Sequence, residues 1–174
     1  KEDFMALCAD FKEDFIAEYK GIEDGIEVVV EDVELPATQM PQEIQDNIVD
    51  AIYAVHNGVW RYIPSIPGIV ETSSNFAIIN IEGGNVAFKF LARSSSDSVK
   101  AEIGASIESC LNMAGMKVVF SGEYGGWDPN PDSELIKEMC GIYRKLFNKE
   151  PTVQVVHAGL ECSMILNKYP GLDI

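Results

Sequence analysis

The chain has 174 residues, with 13 basic against 28 acidic side chains and a net charge of −15. Phosphate contacts need clustered Lys and Arg, which this sequence lacks, so composition argues against a general nucleic-acid-binding role. A hydrophobic content of 47% fits one domain with a real core, or a small domain plus part of another, and no apolar run approaches the roughly 18 residues of a membrane span.

Residues Lys1 to about Lys20 have helical spacing, with Phe4, Cys8, Phe11 and Phe15 on one face. Gly21 and Gly25 stop that helix, and Ile26 to Leu35 then reads as a β-branched strand. Pro41 starts a second helix carrying Ile44, Ile48, Ile52 and Val55, ended by Asn57-Gly58. Val59 to Gly68, with Pro64 and Pro67, reads as a loop. Two strands follow, Asn75–Ile81 and Val86–Arg93, joined as a hairpin through Glu82-Gly83-Gly84-Asn85. Ser94 to Ser98 offers helix caps before the stripe Ile103, Ile107, Cys110, Leu111 and Ala114. Lys117 to Tyr124 reads as a strand, Gly125 to Pro131 as a loop, and Asp132 or Ser133 as the cap of a fourth helix. The last units are a Val153–Val156 strand, a turn at His157-Ala158-Gly159 and a short helix to Lys168.

This order predicts an α+β fold: a mostly antiparallel sheet covered by helices, with the C-terminal helix–strand–helix as a piece of a neighbouring α/β sheet. Cys8, Cys110, Cys140 and Cys162 form no C-x-x-C pair and read as thiols in a reducing compartment, so the expected location is cytoplasmic. The chain opens without Met inside a helical pattern and closes on an incipient strand. On those grounds it is expected to be a piece of a larger protein.

The densest cluster of reactive side chains is His157, Glu161 and Cys162. Each is a competent metal ligand type, but Gly159 and the β-branched run before His157 argue against one helical face presenting them together. The plainer reading has a satisfied buried His and a Glu161 that complements a helix N-terminus. A Cys-His peptidase arrangement lacks an oxyanion hole and an orienting Asn or Asp. His56, at a helix end, suits the C-terminal dipole. Arg93 ends a strand before Ser94-Ser95-Ser96, where a guanidinium can grip a carboxylate through two parallel hydrogen bonds. A surface ion pair is the competing reading. Asn75 enters the partner strand, and antiparallel pairing brings it near Arg93. Trp127 is either a hydrophobic plug or a pocket wall.

Four stretches together resemble one family. They are Gly68-Ile69-Val70-Glu71-Thr72-Ser73-Ser74-Asn75, Leu91-Ala92-Arg93-Ser94-Ser95, Tyr124-Gly125-Gly126-Trp127-Asp128-Pro129, and His157-Ala158-Gly159-Leu160-Glu161-Cys162 with Lys168-Tyr169-Pro170-Gly171-Leu172-Asp173. In order and spacing they closely resemble the aminoacyl-histidine dipeptidases (peptidase D, or cytosol non-specific dipeptidase). Ser163 stands where that family usually has Gly, and Gly125 where it usually has Pro.

The resemblance implies a two-zinc metallopeptidase with a catalytic domain and an inserted lid domain that also makes the dimer contact. By that analogy residues 1–123 are the later part of the lid/dimerisation domain, and 124–174 are a partial return into the catalytic domain. The sequence has no His-x-Asp and no adjacent Glu-Glu pair. The implied expectation is therefore two zinc ions in the parent enzyme, none in this piece, no catalytic or metal-ligating residue here, and inactivity alone. Substrate contact remains: Arg93 with Asn75 for the carboxylate of a dipeptide, and Glu161 near its amino end. The expected partners are a dipeptide and a second copy of the chain, with neither nucleic acid nor membrane. The rival expectation is a non-enzymatic α+β module for self-association or binding.

Overall fold

A computed structural model describes residues 1–157 and 161–174. The elements run α1 (Glu2–Glu18), α2 (Gln42–Ala54), β1 (Gly58–Tyr62), β2 (Val70–Glu82), β3 (Asn85–Ser94), α3 (Asp97–Met113), α4 (Glu134–Phe147) and α5 (Glu161–Lys168). The chain divides into two units, Lys1–Gln39 and Met40–Ile174.

In the first unit α1 carries no buried residue, and its apolar stripe includes a stacked Phe11–Phe15 pair, with centroids 6.3 Å apart. Lys1 Nζ donates to both carboxylate oxygens of Asp32 at 2.7 and 2.8 Å, a contact between exposed groups.

The second unit is built on an antiparallel three-stranded sheet in the order β1-β2-β3. Gly83 and Gly84, at φ +57° and +77°, form the two-residue turn of the β2–β3 hairpin. Positive φ at both central residues gives the turn a twist that matches the strands, and glycine takes it without a steric penalty. The ladder has one irregularity. Phe76 faces Phe90, but Ile78 faces Lys89, so Ala77 is an extra residue on β2. One sheet face presents Phe76, Phe88, Phe90 and Ala92 to a core of Ala51 from α2, Val55 just after it, and Ile103, Ile107 and Leu111 from α3. Phe76 stacks on Phe90 with centroids 4.4 Å apart, a geometry favourable beyond area burial alone. Helices thus cover one face of an antiparallel sheet, which is the α+β class expected from sequence.

Ser133 caps α4 by accepting from the Ile136 amide at 3.1 Å, and Asp173 accepts from the Leu135 amide at 3.0 Å. A carboxylate at a helix N-terminus is favoured by the free amides and the dipole. Those hydrogen bonds hold Asp173 below the ordinary aspartate pKa.

Four sequence expectations need correction. The predicted loop after Asn57 begins with a strand: β1 takes Gly58–Tyr62, pairing Val59 with Ser73 and Tyr62 with Val70. Its β-forming residues Val59, Trp60 and Tyr62 precede the first proline, so no backbone donor is missing from the ladder. The other three run the opposite way. Ile26–Leu35, Lys117–Tyr124 and Val153–Val156 are not assigned as strands. Their composition favours extended backbone, but a strand requires a hydrogen-bonded neighbour, which local sequence cannot supply. The predicted turn at Ala158-Gly159 lies outside the described residues.

Candidate functional site

The polar end of the hairpin brings together three of the residues singled out in the sequence, Arg93, Asn75 and His157. Arg93 lies directly opposite Ser73, and Asn75 opposite Leu91. Asn75 and Arg93 are therefore diagonal neighbours on the sheet face turned away from the aromatic core residues. Arg93 is half-buried, and its Nη1 donates to the His157 carbonyl at 3.3 Å. The His157 imidazole reaches the same strand end, with Nε2 2.7 Å from Ser73 Oγ. Glu161 opens α5 and is exposed, Cys162 is half-buried, and all four cysteines are free. His56 places Nε2 3.2 Å from the Gly58 carbonyl and meets the Trp60 ring edge-on.

A part-buried hydrogen-bond network supports this end of the sheet. Arg61 donates through Nε and Nη2 to the two oxygens of Glu71, each at 2.7 Å, across the β1–β2 pair. Glu71 is buried, and a carboxylate there needs such a partner. Thr72 is fully buried, with Oγ1 2.7 Å from Ser94 Oγ, and the Ser95 amide donates to the Glu71 carbonyl at 3.1 Å. The Gly-rich loop docks beside it. The Gly126 amide donates to Asp97 Oδ1 at 2.8 Å, and Trp127 is half-buried at the wall of a large cavity.

Gly126 has a steric role. A Cβ there would stand 2.0 Å from the Ser95 carbonyl oxygen and 2.6 Å from its carbon. Both are backbone atoms, so no rotamer change relieves the clash. Gly126→Ala is expected to cost about 1–3 kcal/mol by overpacking, measured as a shifted denaturant midpoint at unchanged slope. An unshifted midpoint would show that the loop is not seated on Ser95. Gly125 differs: a Cβ there would meet the side chain of Asn167, with Nδ2 1.8 Å away, so the far end of a flexible side chain occupies that space.

Burial holds the His157 pKa below its ordinary 6.5, and the charge of Arg93 pushes it the same way, while the Val70 carbonyl opposes them. A histidine held neutral on folding contributes stability that is complete above the unfolded value and is lost as pH falls from there through the folded one. The expected NMR titration midpoint of His157 therefore lies below 6.5, and Arg93→Gln moves it upward. A midpoint at or above 6.5 would contradict the burial seen here.

Reading the sequence singled out Arg93 and Asn75 but gave Ser73 no role of its own. Ser73 is the residue that faces Arg93 and touches His157. His157, Glu161 and Cys162 do not form a metal cluster: among the described residues no three His, Cys, Asp or Glu side chains gather where they could hold an ion. Among the described residues no helix is long and apolar enough to cross a membrane.

Comparison with known proteins gives the site its context. No protein-family model matches the chain. Over 130 residues, 75% of its length, the chain is 35% identical to the cytosol non-specific dipeptidase of Escherichia coli K12, and it covers 27% of that protein. Its fold matches the crystal structure of the aminoacylhistidine dipeptidase from Vibrio alginolyticus with a TM-score of 0.91 and 32% identity. That match covers 99% of this chain and 35% of the dipeptidase. The chain thus spans about a quarter to a third of the length of these relatives. Over the segment it spans, the chain is similar in both sequence and fold to the aminoacylhistidine dipeptidases.

Proposed function

We propose that the chain is part of a two-zinc metallodipeptidase that hydrolyses Xaa-His and related dipeptides, and that it supplies substrate-contact and dimerisation surfaces. The observation that carries this reading is the match in both sequence and fold to dipeptidases, with Arg93 at a polar strand end within the matched fold. Arg93 would hold the substrate carboxylate through paired charge-assisted hydrogen bonds, with Asn75 beside it on the same sheet face. Glu161, exposed at the start of α5, would meet the substrate near its amino end. Residues 1–123 would form the later part of a lid and dimerisation domain, and 124–174 a return into the catalytic domain. No residue here is assigned to catalysis or to metal, and the segment alone is expected to be inactive. A cytoplasmic location belongs to the same reading.

The test is to express the whole open reading frame that contains this segment and assay it with a panel of Xaa-His dipeptides. Hydrolysis that a chelator abolishes and zinc restores supports the proposal. Absence of dipeptide hydrolysis with zinc supplied overturns it. Solution mass tests the dimer, and a monomer across the working concentration range removes that part.

A further inference from the structure

The chain has three arginines, and they are not used alike. Arg61 grips Glu71 and Arg144 grips Glu150, each through Nε and Nη2 to the two carboxylate oxygens. Arg93 has no acidic partner among the described residues, although the sequence holds 28 acidic side chains. Its hydrogen bond there uses Nη1, which donates to the His157 carbonyl at 3.3 Å. Nη1 lies on the Cδ side of the guanidinium. The Nε–Nη2 edge, which the other two arginines give to a carboxylate, is therefore open among the described residues.

The side chain of His157 ties its own carbonyl to the sheet. Its Nε2 stands 2.7 Å from Ser73 Oγ, and Ser73 is directly opposite Arg93 in the β2–β3 ladder. The contacts close a ring: Ser73 to the imidazole, the His157 main chain to Arg93, and Arg93 across the strand pair to Ser73. A hydroxyl can donate or accept, so the Ser73 contact forms with either imidazole tautomer. An arginine side chain is rich in rotamers, and fixing one before a ligand arrives removes that ordering cost from binding. The strands that carry this ring are themselves held in register by the bulge at Ala77 and the Phe76–Phe90 stack.

We propose that Ser73 and His157 are positioning residues for Arg93, holding its Nη1 side against the protein so that the Nε–Nη2 edge is presented to a ligand carboxylate. The inference rests on the reading that Arg93 binds the carboxylate of a dipeptide, and it adds which edge of the guanidinium is used and what aims it. Asn75, diagonal to Arg93 on the same sheet face, borders that edge from β2.

The experiment is a double-mutant cycle on the full-length protein. KM and kcat are read on an Xaa-His dipeptide, and NMR relaxation of the Arg93 Nε–H group is read without dipeptide. Ser73→Ala is expected to raise KM about 3- to 10-fold with kcat changed less than about twofold, the effect of losing one neutral hydrogen bond that serves binding. The rise is expected to vanish in an Arg93→Ala background, where Ser73 has nothing left to orient. Ser73→Thr keeps the hydroxyl and is expected to stay within about twofold of the parent. His157→Ala breaks the same contact from its other side, and its rise in KM should not add to that of Ser73→Ala. An unchanged KM in Ser73→Ala overturns the proposal. So does a rise that persists in the Arg93→Ala background, because Ser73 then acts on substrate or fold by itself. The order parameter of Arg93 Nε–H is expected to fall in Ser73→Ala, and an unmoved value overturns the proposal whether or not dipeptides are hydrolysed. A fall in a protein without dipeptidase activity sustains the positioning of Arg93 and refutes only the assigned activity.

Discussion

Replacing Arg93 with alanine in the full-length protein is expected to raise KM for dipeptides about 10- to 100-fold, with a smaller change in kcat. A hydrogen bond to a charged group is worth about 1.5–3 kcal/mol, and loss of binding that is equal in ground and transition states appears in KM. Arg93→Lys should recover only part of the loss, because an ammonium cannot reproduce the planar fork. Arg93 also holds the His157 carbonyl. Thermal unfolding of the same variants separates the two roles: a shift in KM at unchanged Tm belongs to substrate, and one that tracks Tm belongs to the docking of His157. An unchanged KM removes Arg93 from the substrate site.

The largest expected loss of stability comes from Ile103→Ala. Ile103 is 0% exposed and lies in the cluster with Ala51, Val55, Ile107 and Leu111, where α2, α3 and the aromatic face of the sheet meet. Truncation there forfeits burial and leaves a cavity that close-packed neighbours refill only in part, which costs about 2–5 kcal/mol. Chemical denaturation with fixed slope measures it. Val119→Ala, at a residue 76% exposed, is the control and should stay within about 0.5 kcal/mol. A loss below about 1 kcal/mol for Ile103→Ala would mean that α3 does not carry the core. Because α3 starts at Asp97, just after the Arg93–Ser96 run, a loosened α3 should also weaken the site in the full-length protein.

The place of Asn75 shows how narrowly the site depends on register. Counting back from the Gly83-Gly84 turn without irregularity sets Arg93 against Ser74 and Asn75 against Ala92. In that register Asn75 and Arg93 occupy opposite faces of the sheet. The extra residue at Ala77 shifts the ladder by one, so that Arg93 meets Ser73 and Asn75 meets Leu91. Since side chains alternate with a period of two, a one-residue slip exchanges faces, and the bulge is what brings the two polar groups together. It also sets Phe76 against Phe90 on the core face, so aromatic packing holds the register in place.

The sequence by itself determined whatever depends on near neighbours. Helical periodicity located the five described helices, the two adjacent glycines located the hairpin turn, and a cap at Asp132 or Ser133 was legible because capping reaches only three residues ahead, with the structure choosing Ser133. The four motifs pointed to the family for a related reason, since they persist as local strings. Only the tertiary structure decided which extended runs are strands. Ile26–Leu35, Lys117–Tyr124 and Val153–Val156 are as β-branched or apolar as β1, yet β1 alone finds a partner, in β2. It decided as well that Ser73, 84 residues from His157 in the chain, is the group the imidazole touches. Strand pairing and side-chain contact join residues far apart in sequence, and no local pattern encodes which partner will be there.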